Sequence, residues 1–241
     1  MPDAIILSGA GRYADPWHPF AETSAALAEL VRDAGFTVEV AEDPDAALAA
    51  LDAGVRLIVV NAGDPAGPRP TAESATGADA TRPEASVIAA GEAALEAAID
   101  RGVGILAVHA AASSLRDYPA FERALGARWL PDVSWHPPIG EAHVHVVGNH
   151  AIVEGGPADF TVFDERYTGL RLLDVIEPIA EHTEGDGRHP LVWAREFGRS
   201  RLVYDALGHD TRSYESAGHR ELIARALGWL SLVPAPTAGD A

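Results

Sequence analysis

Three histidines each follow an apolar run. His18 comes after Ala4-Ile5-Ile6-Leu7-Ser8 and the glycine-rich Gly9-Ala10-Gly11, His109 comes directly after residues 103–108, and His209 comes after residues 201–207. An imidazole titrates near neutral pH, so it can move a proton or lend a lone pair to a metal ion. One such histidine would carry little weight, whereas three at the ends of separate apolar runs point to a shared site. Asp164-Glu165-Arg166-Tyr167 adds two carboxylates and a phenol after Phe160-Thr161-Val162-Phe163, a set able to hold a sugar hydroxyl or to serve as acid and base. His143 and His145 stand two apart in an alternating segment, on the face opposite Ala142, Val144 and Val146; that spacing could seat a metal, and a solvent-facing pair is the plainer expectation. Trp17, Trp135 and Trp193 could form a sugar-stacking surface or could simply pack in the core and loops.

These residues need elements to position them. Residues 4–8 (AIILS) read as a buried strand entering a loop, and from Phe20 the apolar residues Phe20, Leu27, Leu30 and Val31 recur at helical spacing up to Gly35. Residues 36–40 form a second strand. Asp43-Pro44 offers a cap and a first-turn proline for a helix carrying Leu48 and Leu51, and residues 55–60 (VRLIVV) form a third strand. Residues 61–83 break this rhythm with Gly, Pro, Ala, Thr and Asp, as a flexible insertion or a lid would. A helix with Val87, Ile88, Leu95 and Ile99 on one face then stops at Gly102 and delivers residues 103–108 as a fourth strand.

Continuous apolar strands alternating with amphipathic helices imply a parallel sheet covered on both faces. Such sheets bind ligands beyond the carboxyl ends of their strands, which is where His18, His109 and His209 fall. His109 runs into Ala110-Ala111-Ala112, small residues that allow a sharp turn, and Ser113 and Ser114 could cap a following helix. Past Gly126 the segments 142–147, 175–181 and 191–195 alternate like β structure of mixed direction, residues 201–207 form the last strand, and Leu222, Ile223, Ala226, Leu227 and Leu230 mark a closing helix. The expected organisation is one α/β domain over residues 1–233, with a mobile tail at 234–241.

Composition removes several functions. The 36 acidic residues outnumber the 18 basic ones, leaving a formal charge of −18 that repels phosphate backbones and anionic headgroups. Nucleic acid and membrane surfaces are therefore not expected partners, and a neutral or cationic ligand fits better. The absence of cysteine excludes disulfides, thiolate metal sites and a cysteine nucleophile. No apolar stretch approaches the ~20 residues of a membrane span, and a cytoplasmic location is the default expectation. Oligomeric state is left open, a homo-oligomer included.

The chain resembles the ThuA-like family, named for trehalose utilisation, whose fold is similar to the class I glutamine amidotransferases. The likeness rests on the histidine of ILAVHAA, Gly126-Ala127-Arg128-Trp129 followed by His136-Pro137, His150-Ala151-Ile152, Asp164-Glu165-Arg166-Tyr167, Pro190-Leu191-Val192-Trp193, and Gly198 with Arg201 leading to Gly208-His209-Asp210. It implies a flavodoxin-like three-layer sandwich with a mostly parallel central sheet and added mixed β structure in the C-terminal half. It also implies a role in carbohydrate metabolism, with His109, Glu165, Tyr167 and His209 as matched polar residues of one pocket. Where the amidotransferases present a cysteine after the fourth strand, this chain has His109, so glutamine hydrolysis through a thioester is not implied.

The expected function is binding of, and action on, a sugar or keto-sugar derivative by histidine and carboxylate acid–base chemistry. Catalysis falls to His109, Glu165 and His209, and substrate contacts to His18, Tyr167, Trp193 and Asp210. A non-catalytic carbohydrate sensor using the same pocket is one alternative. A hydrolase with a divalent metal between His109 and His209, activating water, is another; no cofactor is named outright.

Overall fold

The computed structural model describes residues 2–64 and 83–232. The first strand, β1 (Ala4–Ser8), is followed by α1 (Phe20–Asp33), β2 (Val38–Ala41), α2 (Pro44–Ala49) and β3 (Leu57–Asn61). Then come α3 (Ala85–Arg101), β4 (Gly104–Val108), α4 (Pro119–Leu125) and the short β5 (Ala127–Arg128). The C-terminal half adds β6 (Gly140–Val146), β7 (Phe160–Asp164), the short β8 (Arg171–Leu172), β9 (Glu177–Glu184), β10 (Gly187–Phe197), β11 (Ser200–Asp205) and α5 (Ala217–Ser231).

One nine-stranded sheet runs in the order β2-β1-β3-β4-β11-β10-β9-β6-β7, and β5 pairs with β8 apart from it. From β2 to β11 neighbouring strands are parallel; from β11 through β10, β9 and β6 to β7 they are antiparallel. This is the α/β sandwich with added mixed β structure expected from the sequence. Every residue of β1, β3 and β4 is buried, because helices cover both faces, and this accounts for the loss of polar alternation in those runs. Gly104 allows the closing helix to lie directly on β4, since a Cβ there would meet the Leu230 carbonyl oxygen at 2.9 Å.

Several boundaries differ from expectation, each for a local reason. Phe36 is not in β2; its N–H reaches back to the Val31 carbonyl, and its ring is buried against the core. Val55 belongs to a turn, with its N–H on the Asp52 carbonyl, and Leu51 lies beyond the end of α2. β11 stops at Asp205, where Ala206 donates its N–H sideways to Leu191 and Leu207 donates its own to Asp205 Oδ1. Asp43 does cap α2, accepting the Ala46 N–H at 3.1 Å. Asn61, expected as the first residue of an insertion, closes β3 with its amide bonded to Thr23 and Ser24 at 2.9 Å each. The rest of that expectation, over residues 65–82, and the expected tail at 234–241 lie outside the described residues.

Candidate functional site

The carboxyl ends of β1, β4 and β11 meet at one place. At the end of β4, His109 takes a left-handed backbone conformation with φ +48° and opens a single 3₁₀ turn to Ala112. Such a φ is uncommon for a residue with a side chain, and strained turns of this kind present a reactive group above a sheet. The turn is pinned from below by the Tyr204 hydroxyl, which donates to the His109 carbonyl at 2.9 Å. Its imidazole is buried, with Nδ1 2.6 Å from the Ala206 carbonyl oxygen. A carbonyl can only accept, so Nδ1 carries a proton and Nε2 faces the crevice. There Nε2 is 3.1 Å from the Tyr167 hydroxyl and 3.4 Å from Glu165 Oε2.

His18 is held in the same manner. Asp15 accepts the backbone N–H groups of Trp17 and His18 at 3.0 Å each and faces His18 Nδ1 at 2.7 Å. The buried Nε2 of His18 then points inward with no hydrogen-bond partner. His209 arrives from the loop after β11, and its buried Nδ1 lies 3.3 Å from Glu165 Oε2 without forming a hydrogen bond. The rings of His18 and His109 are 4.9 Å apart, those of His18 and His209 4.9 Å, and those of His109 and His209 5.4 Å.

Electrostatics follow from this crowding. Burial disfavours the Glu165 carboxylate, but the neighbouring imidazoles of His109 and His209 outweigh that and hold its pKa far below the usual carboxylate range. Burial likewise opposes a charged His109, yet Glu165 and the nearby Asp164 charge raise its pKa above the ordinary imidazole value. For His18 burial prevails over the pull of Asp15, helped by the other two imidazoles, and its pKa is lowered. Burial also drives the Tyr167 phenol well up, so it stays a hydroxyl.

One wall of the site is aromatic. Trp129 packs 4.4 Å from the Tyr167 ring, and His136 lies 6.0 Å from that ring with Nε2 3.6 Å from Glu165 Oε2. Trp17 and Trp135, beside His18 and His136 in the chain, are 60% and 48% exposed.

Of the residues expected at the site, His18, His109, Glu165, Tyr167 and His209 come together. Trp193 does not: it is 0% exposed in β10, packs on Tyr204, and donates Nε1–H to the Leu125 carbonyl at 3.0 Å. An indole so enclosed is core, which corrects the stacking role. Asp210 follows His209 with its carboxylate turned to Arg212, accepting the backbone N–H at 2.9 Å and pairing with the guanidinium. Ser113 and Ser114 cap no helix; Ser113 donates to the Ala110 carbonyl at 2.9 Å, and α4 starts only at Pro119. His143 and His145 do share an outward face, where Asp159 joins them, with Oδ2 3.0 Å from His145 Nδ1 and 3.9 Å from His143 Nε2. Asp15 and Asp164 were not foreseen as supports, nor His136 as a site residue. Asp15 stands three residues before His18, a spacing at which a carboxylate folds back on the following backbone, and that was the available signal.

A family model described as "ThuA: Trehalose utilisation" matches residues 6–230. The chain belongs to the ThuA family. Among solved structures, a ThuA-like protein from Parabacteroides merdae superposes with a TM-score of 0.73 at 18% identity, covering 98% of this chain and 92% of that one. A ThuA-like protein from Bacteroides uniformis gives 0.67 at 17% identity, covering 94% and 90%. A glutamine amidotransferase from Thermotoga maritima gives 0.55 at 10% identity, covering 95% and 97%. At these identities the likeness shows a common fold. No curated protein matches the chain.

Proposed function

We propose that this ThuA-family protein is an enzyme of carbohydrate metabolism that binds a sugar or keto-sugar derivative over the His109 crevice and activates one of its hydroxyl or carbonyl groups. The observation that carries this reading is the convergence of His109, His209 and His136 on a single carboxylate oxygen, Glu165 Oε2, at 3.4, 3.3 and 3.6 Å. A carboxylate among imidazoles is an acid–base unit: it stabilises the imidazolium formed when a substrate proton is taken up and orients the ring for its return.

The Tyr167 hydroxyl, 3.1 Å from His109 Nε2, is a donor for a substrate oxygen. Trp129 and the exposed Trp17 and Trp135 supply aromatic faces for the apolar side of a sugar ring. The net charge of −18 favours a neutral ligand over a phosphorylated one. The family's description as trehalose utilisation supports the substrate class. With no cysteine in the chain, a thioester route is closed.

The test is calorimetric titration with a panel of glucose, trehalose and their keto derivatives, followed by turnover assays on those that bind. Glu165→Gln should keep the fold and lose more than tenfold in kcat/KM, over ~1.4 kcal/mol of transition-state stabilisation. If no member of the panel binds the wild-type protein, the substrate class is wrong. Binding without turnover would make the protein a carbohydrate sensor instead.

A further inference from the structure

His18, His109 and His209 each offer a ring nitrogen and Glu165 a carboxylate oxygen, and these four atoms all lie within 4.8 Å of one another. An acid–base unit accounts for Glu165 with one or two imidazoles, but it leaves His18 Nε2 and His209 Nδ1 buried without partners. Buried polar atoms are nearly always satisfied, and here the two unsatisfied ones face the same point.

The outer contacts of the cluster have the form that supports metal-bound histidine. His18 is fixed through Nδ1 by the Asp15 carboxylate at 2.7 Å, and His109 through Nδ1 by the Ala206 carbonyl at 2.6 Å. Such partners set the tautomer and aim the other nitrogen's lone pair at the ion. The spacing agrees as well. Donors placed tetrahedrally at roughly 2.0–2.1 Å from an ion stand about 3.4 Å apart. Glu165 Oε2 is 3.4 Å from His109 Nε2 and 3.3 Å from His209 Nδ1.

We propose that His18, His109, Glu165 and His209 are the ligands of a divalent transition-metal ion. Three imidazoles with one carboxylate suit zinc and its first-row neighbours; magnesium and calcium call for oxygen ligands. The ion satisfies both orphaned nitrogens and balances the buried Glu165 charge. Tyr167 and His136 stay outside the donor set, free to hold a substrate oxygen beside the ion and, in the case of His136, to move its proton. The inference rests on the crevice of the proposed function and reassigns its proton transfer: with His109, His209 and Glu165 holding the ion, His136 is the imidazole left to move a proton, and the ion's binding is read without any sugar present.

The experiment uses chelator-stripped full-length protein titrated with zinc sulfate in a His143→Ala/His145→Ala background, which removes the exposed His143, His145 and Asp159 group as a competing site. One tight site per chain is expected, weakened at least 100-fold in His18→Ala and in His209→Ala. Cobalt substitution should give the visible absorption of a four-coordinate ion. Asp15→Asn, which leaves all four donors in place, should weaken zinc binding ten- to 100-fold; it carries the test should a donor variant fail to fold. Absence of a tight site in that background, or undiminished affinity in His18→Ala and Asp15→Asn, overturns the proposal. The sugar titrations decide the proposed function separately.

Discussion

Asp164 and His209, 45 residues apart in the chain, are joined by a hydrogen bond from the His209 backbone N–H to Asp164 Oδ1 at 3.2 Å. The same carboxylate accepts the Glu165 N–H at 2.8 Å and, through Oδ2, the Gly208 N–H at 2.7 Å. One buried side chain thereby fixes the backbone under two site residues from different elements.

Asp164→Asn turns an NH₂ donor toward one of those N–H groups. Losing a buried charged acceptor costs about 1.5–3 kcal/mol, read as a lower urea midpoint. Because Glu165 and His209 shift together, sugar binding should also fall about tenfold or more. An unchanged affinity in a folded variant would show that the clamp is only structural.

His109→Ala and His109→Gly separate the side chain's role from the backbone's. Both remove the imidazole, but only alanine must hold φ +48° with a Cβ. The left-handed conformation costs an L-residue roughly 1–2 kcal/mol, partly offset by the entropy glycine loses on folding. The glycine variant should therefore melt higher than the alanine variant, and sugar affinity should drop more than tenfold in both. Equal melting temperatures would mean that the turn relaxes once the side chain is gone.

A pH effect is expected from the buried pair His219 and Asp205, where His219 Nε2 is 2.8 Å from Asp205 Oδ2 and Nδ1 is 3.0 Å from the Ser213 carbonyl. Burial alone would lower the His219 pKa, but the Asp205 charge and hydrogen bonds override it and the value is raised. The folded state thus holds this proton more tightly than the unfolded chain. Its stabilisation is complete below the unfolded value of about 6.5 and is lost as pH rises through the raised folded value. Chemical denaturation across neutral to alkaline pH should show stability falling in the wild type and a flatter profile in His219→Gln.

The opposite sign is expected at Asp45, which takes a bidentate contact from Arg12 at 2.7 Å and the hydroxyls of Tyr13 and Tyr118 at 2.7 Å each. Burial works to raise the Asp45 pKa, but these partners lower it overall. Its contribution is present above the unfolded carboxylate value of about 3.9 and disappears as pH falls through the lower folded value. Asp45→Asn leaves the Arg12 guanidinium buried with a weaker partner; removing one member of a buried pair costs about 3–5 kcal/mol. Asp117, 2.8 Å from Arg12 Nη1, should hold the loss toward the lower end.

The sequence carried the parallel half of the sheet plainly, because β1, β3 and β4 are buried on both faces and leave uninterrupted apolar runs. His109 was legible for a related reason, since a polar residue directly after such a run has few places to go; His18, Glu165 and His209 stand in loops after strands, and the last two were legible chiefly through the family resemblance. Trp193 misled because indole is equally at home on a sugar and in a core, and only the Leu125 carbonyl above it settles which. The supports were hidden. Ala206 contributes a backbone carbonyl, which no residue type announces, and His136 reaches the site through a long irregular loop whose path depends on tertiary contacts such as the Trp135 and Thr168 bridge.

The order of strands across the sheet has a consequence for biosynthesis. Among the described residues β11 is the last strand in sequence, yet it lies between β4 and β10 at the centre. Until it inserts, β4 lacks a neighbour on that side, the His109 turn lacks the Tyr204 and Ala206 contacts, and His209 is absent from the crevice. As a ribosome releases the chain from the N-terminus, the crevice is completed in one step at the end rather than by degrees. A chain broken off before residue 200 would keep three of the cluster's residues and have no working site, so any ligand that binds there rewards only the finished fold.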